Sequence, residues 1–180
     1  MSITKRLLHP YLASFAALAS LLILSGCAHY TAANSSDIPF RTLYIRPVVN
    51  NSYAPQVQAL LSDNLVKAFL RDGSVKIVPQ KQADATLRVV INEYKRSLFA
   101  TQSNDSERAR SFIISIGAKI KLSDNRTKKI YLKSRGLKAT TTTYSEDEQG
   151  TAFPEVEYQT MPMLTRRLAA TIRDAVLHVW

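Results

Sequence analysis

The stretch SFIISIGAKIKL, residues 111 to 122, constrains the fold more than any other part of the chain. Ile114, Ile116, Ala118, Ile120 and Leu122 alternate with positions that include Lys119 and Lys121. Successive side chains of a β-strand point to opposite sides, so this is a strand with one face in a core and the other in water. Thr86 to Phe99 is a second long strand, with Leu87, Val89 and Ile91 on one side, and Lys129 to Tyr144 is a third, ending in four threonines. The polar stretch TQSNDSERAR (101 to 110) and the turn SDNRTK (123 to 128) separate them. Long strands joined by polar turns form an antiparallel meander.

Upstream, Thr42 to Val48 is apolar and β-branched enough for a strand and breaks at the turn signal Asn50-Asn51-Ser52. Pro55 to Arg71 places Val57, Leu60, Leu61, Leu65, Ala68 and Phe69 at spacings of three and four, one face of a helix. Pro55 suits its first turn and Gly73 its C-terminal stop. A short strand at Val75 to Val78 follows, so the first two strands are parallel with the helix as their crossover. The last element is a helix from about Thr160, striped by Met161, Leu164, Leu168, Ile172, Ala175 and Val179, with Thr160 as N-cap and Pro162 in the first turn. The order β, α, β, β, β, β, α predicts an α/β (α+β) two-layer sandwich. In it, two helices pack on one face of a four- to five-stranded mixed sheet and the other face is open.

The N-terminus has a different character. Lys5 and Arg6 precede an apolar run, YLASFAALASLLIL at 11 to 24, and no Asp, Glu, Lys or Arg occurs from Leu7 to Ser36. The run ends in Leu24-Ser25-Gly26-Cys27, which resembles the lipobox of bacterial lipoprotein precursors. That chemistry makes a diacylglyceryl thioether at Cys27, the only cysteine, cuts before it and acylates the new amino group, palmitate being expected. Residues 1–26 then form a cleaved signal peptide, 27–40 a flexible lipid tether (AHYTAANSSDIP is polar and aperiodic) and 41–180 the folded domain. Ala28, by analogy with enteric-type bacteria, points to the outer membrane.

Signatures of catalysis are missing from the sequence. His9, His29 and His178 are the only histidines, no Cys or His pair has metal-ligand spacing, and there is no GxSxG, P-loop or GxGxxG. Asp63, Asp72 and Asp84 read as solvated or capping carboxylates, and Glu146, Asp147 and Glu148 as an acidic loop without the spacing of a calcium site. No metal and no cofactor is expected beyond the lipid on Cys27. Twenty-four basic residues against 14 acidic ones give a net charge of +10, and the signal peptide holds only Lys5 and Arg6 of that excess. Alternation puts Lys119 and Lys121 on the open face, and Lys129, Lys133 and Arg135 on one side of the next strand. Arg88 and Arg96 share that polar parity in an unbulged strand, with Tyr94 and Tyr131 interleaved. Two readings stay open: a binding face for a polyanion carrying acyl chains or sugars, or a face kept soluble by its cations. Export argues against nucleic acid.

The segment TLYIRPVVNNSYAPQVQALLSDNLVKAFLRDGSVKIVPQKQADATLRVVINEYKR resembles the LptE family of lipopolysaccharide-assembly lipoproteins. The shared features are the opening strand and "N.SY.P" turn, the helix ending in FLRDG, and ADATL at the start of a long strand. AKIKLSDNRTKKIYLKSRGLKA resembles its hairpin and MPMLTRRLAATIRDAVLHVW its closing helix. The resemblance implies a non-enzymatic, lipid-anchored component on the periplasmic side of the outer membrane. It would plug and help assemble the β-barrel LptD and bind lipopolysaccharide through basic residues. Lys119, Lys121, Lys133 and Arg135 are the candidates from strand parity for contact with lipopolysaccharide or the barrel.

Overall fold

A computed structural model describes residues 38–100, 110–145, 153–178 and 180. The signal peptide, Cys27, most of the tether, the polar stretch 101–109 and the acidic residues Glu146, Asp147 and Glu148 lie outside the described residues. The elements are β1 (Thr42–Ile45), β2 (Val49–Asn50), α1 (Val57–Asp72), β3 (Lys76–Ile77), a 3₁₀ turn at Gln80–Gln82, β4 (Ala85–Ala100), β5 (Arg110–Asp124), β6 (Ile130–Ser145) and α2 (Phe153–Leu177).

β4 is the axis of the sheet. Along one edge it pairs antiparallel with β5, which pairs antiparallel with β6, so the expected meander is present. Along its other edge it takes β1 (Leu43 opposite Ala85) and β2 (Val49 opposite Val90), both parallel. β3 adds parallel to β1 across the α1 crossover, giving the order β3-β1-β4-β5-β6 with β2 beside β4. Two helices on a mixed sheet of five main strands is the predicted architecture.

Periodicity decides what is buried. Val57, Leu61, Leu65 and Phe69 of α1 and Met161, Leu164, Leu168, Ile172 and Val176 of α2 have no exposed surface. They meet Leu43, Leu87, Val89, Ile91, Ile114, Ile116, Ile120 and Leu122, every second residue of the strands, in one core. Each such side chain contributes about 1.5–3 kcal/mol when buried. One polar tie crosses the helix pair: Asn64 Nδ2 donates to Thr165 Oγ1 (3.0 Å), whose hydroxyl donates to the Met161 carbonyl (2.8 Å).

Several local expectations are corrected. Thr42 to Val48 is not one strand, because Pro47 has no N–H to give; β1 stops at Ile45 and the chain rejoins β4 as β2. Pro55 precedes α1, and Gln56, in a left-handed backbone (φ 53°), opens the helix without a side-chain cap. Gly73 ends it as expected, at φ 77°, its N–H reaching the Phe69 carbonyl. α2 begins at Phe153, so Thr160 is no N-cap. Its hydroxyl donates to Val156 O within the helix (2.7 Å), and Pro162 is interior. Pro154, beside the first helical residue, is the proline placed where no N–H is needed.

Two carboxylates hold the sheet end together. Asp84 Oδ2 accepts from the Arg41 and Thr42 amides (3.1 and 3.0 Å) and the Thr42 hydroxyl (2.8 Å), joining β4 to β1. The Thr42 hydroxyl and then the Arg41 amide hold its pKa below the ordinary value. Asp124 Oδ1 accepts from the Arg126 and Thr127 amides (2.7 Å each) in the β5–β6 turn, and Oδ2 accepts from Tyr131 (2.9 Å). The Thr127 amide, then the Tyr131 hydroxyl, hold its pKa at about 2, against an ordinary 3.8. A native pKa below the unfolded one adds stability above the unfolded value, and that stability is lost as pH falls through the native one. Asp124→Asn keeps an acceptor for the two amides and removes the charge. Its urea midpoint should lie below wild type at neutral pH, with the gap closing from about pH 4 to about pH 2. A gap independent of pH would refute this role for the carboxylate.

Candidate functional site

The face of the meander away from the helices carries the candidate site. Across β4 and β5, Arg88 stands opposite Lys121, and Val90 opposite Lys119. On β6 two residues, Lys133 and Ser134, fill the space opposite the single Lys121, because Leu122 pairs with Leu132 and Ile120 with Arg135. This is a bulge, with Ser134 at φ 53°. Arg88, Lys121 and Lys133 therefore run across three adjacent strands, with Lys119 one pleat along. They rim a depression of about 330 Å³ whose lining also includes Val90 and Ile130.

Like charges directly opposite each other in a sheet are destabilising. Elsewhere on the same face the fold avoids this: Lys95 and Lys138 both reach Glu93 Oε1 at 3.2 Å, and these two lysines lower the Glu93 pKa. Arg88, Lys119, Lys121 and Lys133 have no such acid. All four are exposed and form no salt bridge or side-chain hydrogen bond among the described residues. The cluster is an uncompensated cationic rim around a partly apolar floor, which suits an anion attached to an apolar body.

Three of the four predicted residues, Lys119, Lys121 and Lys133, come together, and Arg88 joins them. Arg135 does not: the bulge at Lys133-Ser134 sets it opposite Ile120, on the parity of the helix-covered face. Lys129 lies over the Tyr131 ring (5.7 Å to its centroid). The interleaved tyrosines are also displaced. A register shift between Ile91 and Glu93 leaves Asn92 as the extra residue, so Tyr94 falls opposite Ile116 and Arg96 opposite Ile114, both on the core parity. Tyr131 stacks on Phe40 (6.2 Å between centroids) and meets Trp180 edge-on (5.0 Å), also beside the core. The apolar floor had no separate sequence signal, since Val90 and Ile130 are strand residues of the polar parity.

The other carboxylates singled out are structural. Asp63 pairs with Lys67 one turn on (2.6 Å), and Asp72 accepts from the Ser74 amide (3.2 Å) beyond the end of α1. Among the described residues no three His, Cys, Asp or Glu side chains gather as a metal site. His178 sits at the end of α2, its amide on the Asp174 carbonyl (3.0 Å).

Comparison with known proteins adds to this geometry. The model of the family described as LptE, lipopolysaccharide-assembly, matches residues 40–176. No curated protein matches the sequence. Among solved structures, a hypothetical protein of Chlamydia trachomatis superposes with a TM-score of 0.52 at 13% identity, covering 77% of this chain and 98% of its own. A minor lipoprotein of Acinetobacter baumannii gives 0.52 at 12%, covering 77% and 91%. At such identities the likeness is one of fold.

The bulge at Asn92 has a measurable consequence. It turns the Tyr94 hydroxyl inward, where it is buried without a hydrogen-bond partner among the described residues. An unsatisfied buried hydroxyl costs about 1–3 kcal/mol. Tyr94→Phe should therefore leave stability unchanged or raise it by about 1 kcal/mol in urea denaturation. A loss of that size would mean that the hydroxyl is satisfied in solution.

Proposed function

We propose, since this chain belongs to the LptE lipopolysaccharide-assembly family, that it is an outer-membrane lipoprotein which helps an LptD-type β-barrel assemble and plugs it. In this reading the open sheet face receives phosphorylated glycolipid. The observation that carries the lipid part is the uncompensated row Arg88, Lys121 and Lys133 beside Lys119, around Val90 and Ile130. A lipid A phosphate would meet charge-assisted donors, and the carbon next to it would cover the apolar floor. Within a barrel lumen, partly screened from water, such contacts strengthen.

The anchor is the acylated Cys27, with the residues up to 40 as tether. Each buried acyl CH₂ contributes about 0.8 kcal/mol, so several chains on one cysteine hold the domain firmly at the inner leaflet. Cys27→Ala should leave the precursor uncut and unlipidated. Mass spectrometry of the detergent-extracted protein would then find a chain that retains residues 1–26 and carries no acyl mass.

Two measurements separate the barrel role from the lipid role. Detergent-solubilised membranes should yield a β-barrel protein with the tagged chain; its absence argues for a scaffold lipoprotein of another envelope complex. Replacing Arg88, Lys119, Lys121 and Lys133 by Gln should weaken lipopolysaccharide binding by at least about tenfold while leaving the fold intact, since all four are exposed. Arg135→Gln, off the rim, should have little effect. Unchanged binding in the quadruple variant would remove the lipid role from this face.

A further inference from the structure

The end of the sheet tied together by Asp84 and Asp124 is also the end at which the folded domain begins. Leu43 of β1 stands opposite Ala85, Ala85 opposite Asp124, and Ser123 opposite Ile130, so β1, β4 and β6 all start there and β5 finishes there. The end of α2 comes to the same place. Trp180 meets the Tyr131 ring edge-on (5.0 Å between centroids) and the Phe40 ring likewise (6.1 Å), two residues before β1. Its indole N–H is satisfied within the chain, donating to the Val176 carbonyl (3.0 Å), yet 40% of the residue stays exposed. The uncovered part of the ring therefore asks for an apolar neighbour and not for a further acceptor.

Cations surround this aromatic group. Lys129 Nζ lies over the Tyr131 ring (5.7 Å), Arg126 reaches towards Asp84 Oδ1 (3.9 Å), Lys128 donates to the Asn125 carbonyl (2.6 Å) in the same turn, and Arg41 follows Phe40. All four are exposed. The acids beside them are engaged. Asp84 accepts from two amides and a hydroxyl, and Asp124 from two amides and the Tyr131 hydroxyl. Asp174, in the last turn of α2, is held by Arg173 (2.6 Å).

We infer that this end of the domain docks on an anionic phospholipid surface, with Trp180 in the headgroup region and Arg41, Arg126, Lys128 and Lys129 on lipid phosphates. A tryptophan ring settles at the boundary between membrane and water, and long basic side chains reach phosphates while their stems stay among apolar groups. A soluble polyanion would meet the cations and leave the indole uncovered. The inference rests on the lipid anchor of the proposed function in one respect: Ile38 is eleven residues from Cys27, which keeps this end within about 40 Å of an acylated cysteine even at full extension. The anchor supplies effective concentration, so a patch of modest affinity is enough to orient the domain.

Trp180 is the only tryptophan, so its emission reports this patch alone. The mature chain, produced without residues 1–26 so that Cys27 stays unacylated, retains every buried core residue, since these run from Phe40 to Leu177. It should bind vesicles of phosphatidylcholine and phosphatidylglycerol, with its emission shifted to the blue and quenched by phospholipid spin-labelled near the headgroup. Binding to phosphatidylcholine alone should be at least about tenfold weaker, and added salt should weaken the anionic binding. In vesicle flotation R41Q/R126Q/K128Q/K129Q should lose at least about tenfold in affinity and K121Q/K133Q, on the sheet face, clearly less, with circular dichroism unchanged in both. Three results would overturn the inference. They are no binding to the anionic vesicles, binding with unshifted and unquenched emission, which would put another face on the lipid or the tether over the indole, and equal loss in the two variants, which would reduce the effect to net charge. Lipopolysaccharide binding and recovery of the barrel are read separately, so a failure here leaves the proposed function standing.

Discussion

One-sided burial of the β4–β5–β6 meander is the constraint on which the rest of the structure depends. A strand offers two faces, and both helices lie against the same one, so every second residue of three long strands must be apolar and the others must tolerate water. Ile114, Ile116, Ala118, Ile120 and Leu122 meet the first demand and Lys119 and Lys121 the second. A slip of one residue would put isoleucines in water and lysines under the helices. The location of the cationic face is therefore a consequence of the core, and it cannot be moved without refolding the sheet.

Bulges then edit that rule locally. Asn92 adds one residue to β4, and β6 carries irregularities at Tyr131 and at Lys133-Ser134. Each extra residue reverses the facing of the residues after it. Past Asn92, Tyr94 and Arg96 leave the open face while Glu93 and Lys95 join it. Past Ser134, Arg135 leaves and Lys138 arrives opposite Gly117. Gly117 suits this site because a Cβ there would come within 3.0 Å of the Glu93 Cβ, and Glu93 is the acid that compensates Lys95 and Lys138. The two bulges thus divide the face into a neutralised end and an uncompensated one.

Legibility from the sequence obeys the same physics. Elements with strong periodicity were legible, including α1 with its glycine stop, the three long strands and the two-layer arrangement. Lys119 and Lys121 were legible because their strand alternates without interruption. Arg135, Tyr94 and Tyr131 were not, because a bulge is a tertiary event: neither Asn92 nor Ser134 is the glycine that usually advertises one. Proline misled in both directions. Pro47 splits an apparently continuous strand, while Pro162, a normal helix breaker, is carried inside a 25-residue helix whose Met161, Leu164 and Leu168 are fully buried. Packing on the sheet outweighs the lost helical hydrogen bond.

The uncompensated end is also an energetic statement. Like charges directly opposite in a sheet are destabilising, and the Arg88–Lys121 pair is extended to a third strand by Lys133. A single acidic substitution would remove that cost, since an acid at any of these positions would do for its neighbours what Glu93 does for Lys95 and Lys138. The chain instead keeps the repulsion at full exposure, where salt screens it, and any anion bound there relieves it as well as making its own contacts. Binding and folding are then linked: a ligand selective for the folded domain stabilises it by RT ln(1 + [L]/Kd).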